Sequence, residues 1–282
     1  MIEIPNPESV EEVADWVELM LVTDGNQLSR ADVSSAIERT SGVEASEVFI
    51  SGVWRELEYR ISLYSSEFFT LHERSVEPQP VAKGRSDYLL CLILSLFGVQ
   101  GNTQLPGKLF ERITREVVEN YLDGEAVVFG WSFEKIEGDE ETAIKQKVRQ
   151  LAEDLFEKFY ETPASRFKDR GLDIVGWAPH YDKRSSQVVL LLQCAAGHNW
   201  VDKLPVPLDA WCQYIHWASN PITAFAVPCV ISQRDWHDVS KDKGILFDRI
   251  RIMNLLTGGI EDVELKEAVD DWIRSALENH AE

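Results

Sequence analysis

The chain has 282 residues, 44% hydrophobic and 27% charged, with a formal net charge of −20. That is the composition of a soluble protein with a full core, long enough for one large domain or two ordinary ones, and its charge excludes coating of nucleic acid by bulk electrostatics. The acidity is concentrated at the ends, with 2 Lys/Arg against 11 Asp/Glu in residues 1–50 and 2 against 8 in residues 261–282. The middle is therefore much closer to neutral and leaves room for a local nucleic-acid groove, while acidic ends serve as solvated faces or protein-binding surfaces.

The first 125 residues read as a helical domain. Ser9 followed by Glu12 has the form of a capping box, and Val10, Val13, Trp16, Val17, Met20 and Leu21 make one apolar face behind it. A short helix over 31–40 stops at Gly42, and from Ser46 onward Val48, Phe49, Val53, Trp54, Leu57 and Ile61 recur at helical spacing. Pro78 and Pro80 interrupt the chain before YLLCLILSLFGV, residues 88–99. That run is about half of what a bilayer requires, so it predicts a buried helix and no membrane partner. Pro106 opens the next helix, with Leu109, Phe110, Ile113, Val117 and Tyr121 inward and Gly124 at its end. The acidic N-terminus, MIEIPNPESVEE, has no signal-peptide pattern, and the four cysteines show no CxxC or disulfide-rich spacing. Both features lead us to expect a cytoplasmic protein with reduced thiols.

Residues 126–282 change character. AVVFGWSF (126–133) predicts a strand, and KIEGDEET a polar linker. Ile144, Val148, Leu151, Leu155, Phe156 and Phe159 predict a long amphipathic helix ending near Thr162 and Pro163. LDIVGW (172–177) and QVVLLLQC (187–194) are strands around a polar turn; a helix follows Pro207, a third strand spans 223–231, and GILFDRIRIMNLL fits strand or helix. The final helix carries Val269, Trp272, Ile273, Ala276 and Leu277. This order gives an α/β (α+β) domain, a small mixed sheet flanked by helices. QVVLLLQC is apolar on both faces, which makes it a central strand covered on both sides.

That central strand ends in a glutamine and a small-residue loop, AAGHN. An amide there needs partners, or the strand end opens onto a site. Asp173 begins the neighbouring strand; if the two strands pair, Asp173 and Gln193 meet at one edge of the sheet. A carboxylate and an amide oxygen so placed suit Mg²⁺, which takes oxygen donors and keeps several waters.

The succession of a helix (AEDLFEKFYE), a strand with an acid (GLDIV) and a hairpin into LLLQCA resembles the core of the PD-(D/E)xK nucleases, in the restriction-endonuclease-like branch where Gln replaces the second acid. The longer stretch GLDIVGWAPHYDKRSSQVVLLLQCAAGHNWVDKL also resembles a group of bacterial proteins of unassigned function encoded near phage-defence genes. The nuclease resemblance covers residues 145–232. It implies Mg²⁺ or Mn²⁺ held by Asp173 and Gln193, a bound water with lowered pKa, and a lysine that orients or activates that water. The position two residues after Gln193, where the lysine belongs, is Ala195; Lys203 is the displaced substitute. Glu153 and Glu157, on the preceding helix, are candidates for a further acid at the metal.

The resemblance implies an endonuclease acting on DNA as an effector of anti-phage defence, with a protein partner from the same operon or as a homodimer, residues 1–125 binding the partner or regulating access. The competing expectation, carried by Ala195, is a nuclease-like adaptor that has lost its chemistry. Cys194 and His198 with Cys212 and His216 form a quartet for zinc, though in no familiar finger spacing, and Cys194 with His198 is a weaker nucleophile–base pair. Trp200 follows Gln193 closely enough to face a substrate.

Overall fold

The computed structural model describes residues 2–99, 104–129, 140–161 and 170–280. The N-terminal helices begin where the sequence provides caps. Ser9 opens α1 (Val10–Asp24) by accepting the Glu12 N–H at 3.2 Å. Ser29 and Asp32 form a full capping box at α2 (Arg30–Ser41), which ends at Gly42, and Ser46 opens α3 (Glu47–Leu63). The apolar run becomes α4 (Ser86–Phe97), and α5 (Leu105–Leu122) starts beside Pro106. No helix among the described residues is long and apolar enough to cross a membrane.

This segment is not purely helical, contrary to expectation. Three strands of two to four residues, β1 (Leu28–Ser29), β2 (Phe69–Leu71) and β3 (Ser75–Pro78), form an antiparallel sheet in the order β1-β3-β2. Residues this few carry no readable alternation, and Pro78 argues against a strand at the sequence level.

Among the described residues the main sheet has five strands. β4 (Glu125–Val128), β6 (Ile174–Ala178), β7 (Val188–Cys194), β9 (Ile222–Ala226) and β10 (Ile245–Phe247) lie in the order β10-β9-β7-β6-β4. β4, β6 and β7 are antiparallel neighbours, whereas β7, β9 and β10 run parallel. The fold is α/β with a mixed sheet flanked by helices, and β7 is its central strand, as its apolar sequence requires. Residues 130–133 of the expected first strand lie outside the described residues, as do most of the KIEGDEET linker and Thr162 and Pro163.

The remaining elements are α6 (Glu140–Asp154), the two-residue pair β5 (Lys158–Phe159) and β8 (Ile215–His216), α7 (Leu208–Tyr214), α8 (Gln233–Lys243), α9 (Arg249–Leu255) and α10 (Val263–His280). The expected long helix stops early, at Asp154: Phe156 takes a left-handed φ of 56° and is 45% exposed, and Phe159 enters β5. α8 was not foreseen.

Side chains alternate across β7. Leu190 and Leu192 join a core cluster with residues of α1, α4, α5 and α10, while Val189 and Leu191 face Val148 and Leu151 of α6 and Trp211 of α7. α5 approaches β6 closely because position 176 is glycine; any Cβ there would run into Val118. The first cluster extends from Ile4 to Ile273, so the helices of residues 1–125 share a core with the sheet and the last helices rather than standing apart from them. A buried ion network spans the same junction. Asp15 of α1 receives Nη1 of Arg60 (α3) and Nη2 of Arg249 (α9), each at 2.5 Å, and Arg249 also reaches Glu18 at 2.9 Å. Desolvation pushes the Asp15 carboxyl up, but the two guanidiniums outweigh it and hold the group well below the usual carboxylate range.

Candidate active site

The β6–β7 pairing brings the two expected residues together. The register Ile174↔Leu192 places Asp173, one residue before, across from Gln193, one residue after. Asp173 joins three strands at their ends. Its N–H donates to the Leu192 carbonyl at 3.0 Å, its carbonyl accepts the Phe129 N–H at 2.7 Å, and its Oδ2 accepts the Cys194 N–H at 2.7 Å. A side-chain carboxylate thus takes over where the backbone ladder stops, which fixes its position to the end of the central strand.

Gln193 is half-buried on the face packed by α6 and α7. Its Oε1 is buried and, among the described residues, has no hydrogen-bond partner. A buried, unpartnered carbonyl oxygen is costly in any fold and marks a place where a donor or a cation belongs. The amide lies against Gly171, whose φ is 75°; a Cβ there would sit 2.5 Å from Nε2. Gly171 therefore makes the turn into Asp173 and leaves the space the amide occupies.

Two ammonium groups flank these residues. Lys203 follows the short 3₁₀ turn His198–Asp202, and its Nζ donates to the Cys194 carbonyl at 3.1 Å. The Cys194 residue therefore gives its N–H to Asp173 and its C=O to Lys203. On the other side, Lys147 of α6 donates to the Phe129 carbonyl at 3.1 Å, one hydrogen bond away from the Asp173 backbone. Lys147 was not foreseen. The signal was its position three residues after Ile144 and four before Leu151, on the inward side of the helix.

Ala195 is fully buried in a hydrophobic cluster with Phe225, Val227, Ile231 and Leu246. A lysine at 195 would have to push its charge into that cluster, so a cation serving the site has to arrive from elsewhere.

Glu153 and Glu157 are not part of the site. α6 runs along the sheet so that its C-terminal end lies over the opposite strand ends: Gln187, just before β7, donates to the Leu155 carbonyl at 3.1 Å. Glu153 lines a surface pocket with Trp177 and His180 there. Glu157 lies beyond the helix and fastens two loops, accepting the Ser186 N–H at 3.1 Å and the Ala218 N–H at 3.0 Å. Both acids belong to the far end of the sheet.

Nor is the zinc quartet assembled. Cys194 is buried, His198 is exposed against Gly98, and His216 stacks on Tyr160 at 4.6 Å. Among the described residues no three His, Cys, Asp or Glu side chains gather in a way that could hold a metal. Burial, and then the charges of Asp173 and Glu111, push the Cys194 thiol well above its ordinary pKa, which removes it as a nucleophile. Trp200 packs near Phe225, with ring centroids 6.5 Å apart, and also lines a 460 Å³ cleft with His198, Asp15 and Ser95 at the same end of the sheet.

An oxygen-only pair, one carboxylate and one amide, suits a hard cation that keeps waters or phosphate oxygens in its other positions. No protein-family model, curated protein or solved structure matches the chain.

Proposed function

We propose that the protein hydrolyses phosphodiester bonds in DNA with a divalent cation, Mg²⁺ or Mn²⁺, held by Asp173 and Gln193. The observation that carries this reading is the buried Oε1 of Gln193, which has no hydrogen-bond partner among the described residues and stands at a strand end shared with the Asp173 carboxylate. The sheet order, with the acid and the glutamine on adjacent antiparallel strands and a parallel strand beyond, is in keeping with it. A bound ion would supply a water of lowered pKa and neutralise charge on the scissile phosphate.

The chain's own groups do the rest. Asp173, held by the Cys194 N–H, presents its carboxyl group at the strand end. The Lys203 ammonium, on the carbonyl of the same residue, orients the attacking water or a phosphate oxygen. Lys147, on the opposite side, places a second positive charge for the phosphate backbone, which an acidic chain needs locally. The protein acts in the cytoplasm as a defence effector, with its acidic ends available to a protein partner.

Incubation with supercoiled plasmid and Mg²⁺ or Mn²⁺ tests the reading. Wild type should nick or linearise the plasmid, and Asp173→Ala should lose at least about 100-fold in rate. Absence of cleavage by wild type, with and without its cognate partner, or equal activity in Asp173→Ala, would refute it. The buried Ala195 favours a second reading, a nuclease-like adaptor without chemistry. That reading predicts a stable protein partner on pull-down and full biological function in Asp173→Ala.

A further inference from the structure

We propose that Lys243 is a positioning residue that sets the reach of Lys203; the inference rests on the nuclease reading and names a residue that reading leaves unused. Lys243 is the last residue of α8 and is only 4% exposed, although a lysine at a helix end ordinarily extends into water. Its Nζ donates to the Lys203 carbonyl and lies 3.5 Å from the Val201 carbonyl. The same ammonium stands 5.3 Å from the centre of the Phe225 ring and 3.0 Å from the Asp242 carboxylate. One buried cation thus holds the turn at two carbonyls, and one of them belongs to the residue whose side chain reaches the site.

From there the connections run in one direction. Lys203 donates to Cys194, and Cys194 donates to Asp173. A flexible lysine side chain carries four rotatable bonds, so its head is placed only if its backbone is fixed. α8 provides that fixing, and its Trp236 and Val239 pack on the cluster that buries Ala195 and keeps position 195 from carrying a lysine itself. Lys243 touches none of the reacting groups; it acts through Lys203.

The experiment compares wild type, Lys243→Met, Lys203→Ala and the double variant in two readouts. The first is plasmid cleavage. Lys243→Met should lower kcat by about 10- to 100-fold with little change in KM, and should cost nothing further in the Lys203→Ala background. The second needs no activity: the rate at which an amine-reactive ester labels Lys203, followed by mass spectrometry. It should rise by about tenfold in Lys243→Met as the turn is released. Additive losses in the double variant, or unchanged labelling of Lys203, would overturn the proposal. If wild type does not cleave, the nuclease reading fails and the labelling rates alone decide whether Lys243 holds Lys203. Should Lys243→Met fail to fold, Lys243→Gln, which keeps polarity but lacks reach, takes its place with the same expectations.

Discussion

Gln193→Met should make the metal-free protein more stable, an unusual expectation for a polar residue on a central strand. The wild-type Oε1 is buried without a hydrogen-bond partner among the described residues. Leaving such a group unpaired costs roughly 1–3 kcal/mol, and an apolar replacement of similar shape relieves that cost. Methionine keeps the length and unbranched form of the side chain and fits the space against Gly171 and the α6 face. Allowing for imperfect packing, a gain of about 1–2 kcal/mol corresponds to a rise of roughly 2–6 °C in Tm for a domain of this size. Differential scanning calorimetry in EDTA measures it. With Mg²⁺ at about 100 times the wild-type Kd, wild type should gain about 2.7 kcal/mol and a variant weakened at least tenfold no more than about 1.4 kcal/mol, so that the stability difference seen in EDTA shrinks or reverses. A Gln193→Met protein that is less stable than wild type in EDTA by 1 kcal/mol or more would mean the amide oxygen is already satisfied, and the reasoning would fail.

Asp15→Ala should lower stability by about 3–5 kcal/mol, because it leaves Arg60 and Arg249 sharing too few carboxylates in a buried network; calorimetry at pH 7 would show a Tm within 2 °C of wild type if this is wrong. The folded-state pKa of Asp15 lies below its ordinary 3.8, so its stabilising contribution is present above that value and is lost as pH falls below it. Acid denaturation of wild type should accordingly steepen below pH 3.8, and Asp15→Ala should lack that part of the transition. Gly171→Ala should cost about 1–2 kcal/mol from its positive φ alone and should also displace the Gln193 amide, so metal-dependent stabilisation should vanish in a thermal-shift titration. Glu157→Gln should leave metal binding unchanged while loosening the loops at Ser186 and Ala218, seen as faster amide exchange there.

Much of the fold could be read from particular residues. Ser9, Ser46 and Gly42 mark helix ends by local hydrogen bonding, and the doubly apolar VVLLL can only be a covered strand. What could not be read depends on tertiary context. Val48 and Tyr121 fit an inward helical spacing yet are 78% and 45% exposed, and Tyr121 meets the core through an edge contact with Phe247 at 5.2 Å. α8 is not legible in the sequence because it packs on the sheet with little more than Trp236 and Val239, too few apolar positions to show a period. Asp173 and Gln193 were legible because each ends a strand, and antiparallel pairing does the rest. The places of Glu153, Glu157 and Lys147 relative to the site depend on the direction in which α6 crosses the sheet, which is not written in its own sequence.

The most direct measurement is titration with Mn²⁺ followed by electron paramagnetic resonance, which reads the free ion. Wild type should take up Mn²⁺ at a saturable site that Asp173→Asn and Gln193→Met each weaken by at least about tenfold, with Mg²⁺ competing for it. Uptake that is absent, or that persists unchanged in both variants, would contradict the assignment of a divalent cation to the paired ends of β6 and β7.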